Sequence, residues 1–391
     1  MSADRPTVHQ RYPVDVSYMV ADLKYNARDG VKICEIQQAS LSLFNGDTYR
    51  GLPEEKSIHA ELLRVLSSLN KKGWIVSEGM ADQRLVAALA RSPFWHNPKG
   101  LIDLFSDVNF TAVSKRLPAD IYNLASYQGF IYMSWDQLSV IYDFESRLRG
   151  MIAMDKSSFP LWIDKYRMTR LFAQDGILAD IKPKWRNYKK VYTKGLAAVI
   201  ARDLQCDTFV IKPRGNFMGK GVIITHYADL DKVLRFIIDH EGPLTQNSDS
   251  AYAAWKSDAF DSFIVEEFVA SDPIILPHVE NKIFQPTMRV AFLLIYNNHK
   301  HSVHFLGEYW KTPELSIDEA GDFMHKHKDI CKPPYYLAVD ASVREAVQNK
   351  LRVALPLLHK RMLQFQSAAG EDFYAPINKA MQISVQNTAE F

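Results

Sequence analysis

Apolar residues recur along this chain with two periods. Near the start, Val14–Leu23 (VDVSYMVADL) and Val31–Ile36 (VKICEI) are apolar at most positions, with Tyr25–Gly30 (YNARDG) between them. Asp29-Gly30 between two β-type runs signals a hairpin, and this one is expected to be buried on both faces. The polar side chains left at strand positions are Asp22, Lys24, Lys32, Glu35 and Gln37. Residues 1–13 are polar and read as extended or disordered. Residues 40–56 carry turn signals and read as a loop. Ser57–Lys71 places Ile58, Leu62, Leu63, Val65 and Leu66 on one helical stripe. Beyond it the pattern predicts strands at Trp74–Ser77 and Phe130–Ser134. It predicts helices at Asp82–Arg91 and Ile121–Ser126 and a mostly helical Leu138–Met154, while 101–117 is apolar and ambiguous. Helices alternating with short strands imply a small α/β layer.

In the second half, Asp164–Ala173 reads as a helix with an acid in its first turn. A long helical run is expected after Ile181-Lys182-Pro183, up to about Asp203. Tyr227–Gly242 is a further helix, and Pro243–Asp258, polar with small residues, reads as a mobile lid. Phe263–Val269, Thr287–Tyr296 and His301–Trp310 read as strands, with a turn at 297–300. Ser342–Phe365 is a long amphipathic helix with Val343, Val347, Leu351, Ala354 and Leu358 on one stripe. The last residues show only weak signals.

One stretch stands out, Thr208–Thr225 (TFVIKPRGNFMGKGVIIT). Two β-type runs flank a loop with Gly215, Gly219 and Gly221 and the cations Lys212, Arg214 and Lys220. Glycines let backbone N–H groups approach phosphate oxygens, and the cations offset their charge. The loop lacks the Gly-Lys-Ser/Thr that opens a helix in a Walker A motif. Taken alone, it also fits an ordinary tight hairpin.

Composition narrows the setting. The 391 residues suffice for about two to three domains. A hydrophobic fraction of 47% and a charged fraction of 24% are those of an ordinary soluble globular protein. The net charge of +2 gives no global pull toward nucleic acid or an anionic membrane. No apolar stretch approaches a membrane span, and the N-terminus lacks the apolar core of a signal peptide. Three cysteines without paired spacing fit reduced thiols and a cytoplasmic setting. His325, His327 and Cys331 form no zinc pattern, and a solvated loop is the expectation there.

The glycine loop is followed by a strand bearing Glu266-Glu267 and then by Thr287-Met-Arg-Val-Ala-Phe. This order resembles the ATP-grasp superfamily, as does Asp164-Lys165, the acid–lysine pair that opens a helix before the loop. The resemblance implies an α/β (α+β) ATP-grasp fold: two α+β subdomains clasping ATP, plus a small α/β pre-ATP-grasp domain. The family's metal-binding hairpin normally follows a long helix near the end. Here the hairpin at 14–37 supplies its residues, and Ser342–Phe365 resembles the helix, so the order appears circularly permuted. The implied divisions are 1–45 for the permuted metal hairpin, 46–155 for the pre-ATP-grasp (substrate) domain, 156–365 for the nucleotide-binding subdomains and 366–391 for a tail.

The resemblance implies a role for each residue. Lys165 and Lys212 hold phosphates, and the loop with Gly215, Gly219, Gly221 and Lys220 closes over them. Glu266 and the backbone at Phe268 and Val269 read adenine, and Asp272 takes the ribose. Asp22, Glu35 and Gln37 bind Mg²⁺, two ions in the family. Arg289, with Lys212 and Lys220, stabilises the phosphoryl group in transfer. Read from the residues, Glu35 and Gln37 point to one face of a strand, with Asp22 alongside, and oxygen donors suit a hard cation. Gln37 stands where the family usually has Asn, and Val20 where many members carry Arg. The implied activity is ATP-dependent carboxylate–amine ligation on a small-molecule or peptide substrate. A phosphotransferase acting on a hydroxyl, or a non-catalytic ATP-binding regulator, are the alternatives.

Overall fold

The computed structural model describes residues 14–39, 58–69, 72–76, 95–96, 124, 129–133, 151–162, 164–215, 219–240, 250–256, 258, 260–329 and 335–369. The helix expected at Asp82–Arg91, the ambiguous 101–117 stretch, the 40–56 loop and the final residues after 369 lie outside them.

The chain opens with strands β1 (Val14–Asn26) and β2 (Gly30–Gln38). Gly30 closes their turn at φ +71°, a conformation that costs glycine little. Helix α1 (Ile58–Ser68) follows, then strands β3 (Lys72–Val76), β4 (Trp95–His96), β5 (Gly129–Met133) and β6 (Met151–Ala153). These last four form a parallel sheet in the order β4-β3-β5-β6. The residues after 150 are therefore strand, where the helical period had been extended to Met154. Ile152 and Met154 are buried on this edge.

Three short helices come next, α2 (Phe159–Trp162), α3 (Lys165–Phe172) and α4 (Gly176–Asp180). Asp164 caps α3, its side chain accepting from Tyr166 N–H at 3.0 Å. The long helix expected after Pro183 is instead strand β7 (Trp185–Lys189) and then helix α5 (Leu196–Leu204). As an edge strand, Trp-Arg-Asn-Tyr-Lys is only half buried, which hid it from an apolar-period reading.

Strands β8 (Thr208–Pro213) and β9 (Ile223–His226) flank the glycine loop, and helices α6 (Tyr227–Asp239) and α7 (Ser250–Lys256) follow. Helix α7 lies in the segment expected to be a lid. Its Trp255 is 1% exposed and donates its indole N–H to the Gly221 carbonyl at 2.8 Å. Strand β10 (Ser262–Glu267) completes an antiparallel sheet in the order β7-β10-β8-β9.

The remaining strands are β11 (Ile274–Leu276), β12 (Lys282–Phe284), β13 (Thr287–Asn297) and β14 (Lys300–Lys311). Asn298 and His299 both have positive φ, as a tight hairpin turn between β13 and β14 requires. Helix α8 (Phe323–His327), strand β15 (Tyr336–Ala338) and the long helix α9 (Ala341–Ala369) close the described chain. The main sheet has the order β15-β14-β13-β1-β2, so the N-terminal hairpin pairs with a strand from the last third of the sequence. Every residue of β13 up to Tyr296 is buried, because both faces of this sheet are covered. One face packs on Val347, Leu351, Leu355, Leu358 and Met362 of α9 together with α2, α3 and α4. The other packs on α1 and the edge of the parallel sheet. A separate core lies between the β7–β10 sheet and α5, α6 and α7. The architecture is mixed α and β.

Candidate functional site

The site is built where β2 meets the β8–β10 sheet. The pairing of β1 with β2 runs Asp22 opposite Glu35 but Leu23 opposite Ile33, so Cys34 is an extra residue in a bulge. The bulge turns the Cys34 carbonyl toward the neighbouring sheet. Lys212, on β8, donates to it at 2.9 Å and to Glu266 Oε2 at 2.7 Å. Lys182 donates to the same carbonyl at 3.2 Å, to the Ile33 carbonyl at 3.2 Å and to Glu266 Oε1 at 2.6 Å. Burial alone would raise the Glu266 pKa, but the two ammonium groups outweigh it and hold the carboxyl below its ordinary value.

Lys165, on the first turn of α3, reaches Glu35 at 3.3 Å. The glycine loop is moored to the same helix. Arg214 makes a two-pronged contact with Asp164 at 3.1 and 2.6 Å, and Lys165 N–H donates to the Arg214 carbonyl at 3.1 Å. Lys165, Lys182, Lys212, Glu35, Glu266 and Cys34 all border one cavity of about 20 Å³, room for about one water.

The glycine loop is tight at its return. Gly221 has φ +78°, and a Cβ there would lie 2.6 Å from the Pro213 ring. Gly219, also at positive φ, faces the Lys328 side chain, and Gly215 abuts the Phe260 ring. Lys220 is exposed.

A second polar group sits on the same sheet face as Glu35. Arg289, the cross-strand partner of Asp22, donates Nε to Oδ1 and Nη2 to Oδ2, both at 2.7 Å. Lys311 adds a third bond to Oδ2 at 2.8 Å and also contacts Asp329 at 2.6 Å. Burial pushes the Asp22 pKa up, but Arg289 and Lys311 outweigh it and hold the carboxyl well below the usual carboxylate range. Asp22 thus has cationic partners on both oxygens. Gln37 is buried two residues beyond Glu35, opposite Val20. Glu35 and Gln37 present oxygen donors on one face and fit a hard cation that keeps water or phosphate as its other ligands. The saturated Asp22 carboxylate fits that role less well. Among the described residues no three His, Cys, Asp or Glu side chains converge as a metal cluster.

The residues expected around a purine and ribose lie further along. Phe268 N–H is used by the Thr208 carbonyl at 3.0 Å, and its ring packs 5.6 Å from Phe323 and 4.8 Å from His327. Val269 is half-buried. Asp272 is pinned to the hairpin turn, accepting from Ala27 N–H at 2.8 Å and donating its own N–H to the Tyr25 carbonyl at 3.0 Å. It does not border the cavity. The 323–327 segment is a short helix whose Met324 is buried in the β7–β10 core, not a solvated loop. Burial pushes the His327 pKa down to about 4, and Lys24 and His226 add to the shift.

Sequence reasoning missed Lys182, Lys311 and Asp329. For Lys182 a signal existed: the tripeptide Ile-Lys-Pro occurs at 181–183 and again at 211–213, and both lysines end on Glu266. Lys311 ends β14 and Asp329 follows helix α8, and neither carries a motif.

No protein-family profile matches the chain, and no curated protein does. Among solved structures, a glutathione synthetase-like effector (GSS30) from Globodera pallida in its apo form is 14% identical, with a TM-score of 0.40, covering 77% of this chain and 74% of that one. D-alanyl-alanine synthetase A from Vibrio cholerae is 12% identical, with a TM-score of 0.36, covering 73% and 81%. VanG D-Ala:D-Ser ligase from Enterococcus faecalis is 13% identical, with a TM-score of 0.38, covering 75% and 83%. These likenesses are distant, at 12–14% identity and TM-scores of 0.36–0.40. Among the described residues no helix is long and apolar enough to cross a membrane.

Proposed function

We propose that the chain is an ATP- and Mg²⁺-dependent ligase that activates a carboxylate as an acyl phosphate and joins it to an amine. The observation that supports this is the meeting of Lys212 with the Cys34 carbonyl, 178 positions away in sequence, beside the Lys165–Glu35 pair. It brings cations and a candidate metal ligand from separate parts of the chain to one cavity. The order of the motifs supports a circularly permuted ATP-grasp arrangement. In it residues 1–45 complete a nucleotide domain at 156–365, and 46–155 serve as the substrate domain.

In this reading Lys165 and Lys212 hold the phosphates as point charges. The loop around Gly215, Gly219 and Gly221, with Lys220, closes over them and excludes water. Glu35 and Gln37 would hold a magnesium ion, which would neutralise charge on the polyphosphate. Arg289, aimed by Asp22, lends positive charge at the sheet face. Backbone near Phe268 and Val269 borders the adenine. The substrate carboxylate attacks the γ-phosphorus and ADP leaves. The amine then attacks the acyl carbon and phosphate leaves. Positioning and electrostatics do most of this work.

The test is phosphate release from Mg·ATP against a panel of amino acids, peptides and small carboxylates, with products identified by mass. A new amide appearing with phosphate supports the ligase. A phosphorylated hydroxyl with no amide selects the phosphotransferase reading instead, and absence of ATP binding overturns both.

A further inference from the structure

Lys182 is absent from the expected phosphate and metal set, yet it is 5% exposed and borders the same cavity. An ammonium has three donors. All three of Lys182 are used, on the Ile33 and Cys34 carbonyls and on Glu266 Oε1. The backbone beside it is tied to the same strand, since Ile33 N–H donates to the Ile181 carbonyl at 2.6 Å. Lys212 uses two donors, on the Cys34 carbonyl and Glu266 Oε2. The result is a closed ring: two lysines, one carboxylate between them and one carbonyl shared by both. Its charge is what matters. Were Lys212 alone with Glu266, the pair would be neutral and the lysine would offer an anion little. With Lys182 on the other oxygen, the ring keeps one net positive charge in a buried place, where charge is felt strongly.

We propose that Lys182 is a positioning residue: it satisfies Glu266 so that Lys212 keeps a charge and a free donor for a polyphosphate, and it fixes the Cys34 bulge from which Glu35 faces Lys165. This rests on the nucleotide reading above. It assigns to Lys182 a share of polyphosphate affinity without contact with the ligand.

The test is calorimetric titration with inorganic tripolyphosphate, which presents phosphate oxygens and no base. Wild type binds it. K182M binds about tenfold more weakly, the effect of losing one buried charge a few ångströms from Lys212. K182R, which keeps the charge, stays near wild type. K182M/E266Q returns to within about threefold of wild type, because removing the carboxylate frees Lys212 again. A purely structural role makes the double variant at least as weak as K182M, and that result overturns the proposal, as does wild-type affinity in K182M. If K182M does not fold, the double variant alone decides, near-wild-type affinity supporting the proposal and a tenfold loss overturning it. Wild type that binds tripolyphosphate while K182M is unchanged defeats only the role of Lys182. Wild type that binds neither tripolyphosphate nor ATP defeats the nucleotide reading as well.

Discussion

Asp22 and Arg289 stand 267 positions apart in sequence and are cross-strand neighbours joined by two parallel hydrogen bonds of 2.7 Å. The pair stitches the N-terminal hairpin to β13, and Lys311 binds the same carboxylate from β14. Removing the acid takes a two-pronged carboxylate from the buried Arg289 and leaves Lys311 with Asp329, which is more costly than breaking an exposed pair. Asp22→Asn is therefore expected to lower unfolding stability by about 3 kcal/mol, read from urea denaturation. The Asp22 pKa is depressed in the folded state, so its contribution is present above the unfolded value near 4. It fades only as pH falls through the folded value, far into acid. Stability that vanishes already between pH 6 and 5 in wild type but not in Asp22→Asn contradicts this.

Asp155 predicts the opposite sign. It is fully buried, accepts from Tyr18 N–H and Gln38, and lies near Asp15, and burial pushes its pKa up to about 7. The folded state thus holds a proton that the unfolded chain releases near pH 4. Its contribution to stability is full below about pH 4 and declines as pH rises toward 7, by on the order of 1.4 kcal/mol per unit. Asp155 also has φ +66°, which asparagine tolerates. Asp155→Asn is expected to flatten the pH dependence of the melting temperature between pH 5 and 7.5 and to match or exceed wild type at pH 7.5. An unchanged profile refutes the assignment.

Trp255 holds the return of the glycine loop through its bond to the Gly221 carbonyl and packs edge-on against Phe263. Trp255→Ala is expected to cost about 3–5 kcal/mol by opening a cavity. Trp255→Phe keeps most of the packing and loses the hydrogen bond, about 1 kcal/mol. Stability of Trp255→Ala within a few tenths of a kcal/mol of wild type would mean that α7 is not anchored as described.

Glu35 is only partly buried, and its buried partner Lys165 also lies within electrostatic reach of Asp258. Glu35→Ala is expected to fold with a near-normal melting temperature yet lose Mg·ATP turnover by a factor of about 100 or more, as loss of a metal ligand does. Full turnover in this variant removes Glu35 from the metal site.

Much of this was readable in the sequence because local chemistry announced it. Lys165 followed a helix-capping acid, Lys212 led a glycine loop, and Glu35 was a carboxylate on an apolar strand. The hairpin's two runs are apolar at most positions because both sheet faces are covered. What stayed hidden depended on partners far along the chain. Strand β7 has the half-polar pattern of a sheet edge. Trp255 lies among small residues whose helix is visible only against the core it fills. Lys182 reads as a solvated lysine before a proline until the Cys34 bulge is in place. The saturation of Asp22 by Arg289 and Lys311 follows from strand register, which no single segment specifies.

The central claim is that a magnesium nucleotide enters between the N-terminal hairpin and the lysines of the middle of the chain. Calorimetric titration of Mg·ATP into wild type and Lys212→Ala tests it most directly. The account predicts binding by wild type and an affinity at least about tenfold weaker in the variant, in keeping with one buried charge lost. Equal affinities, or no binding by wild type, would contradict it.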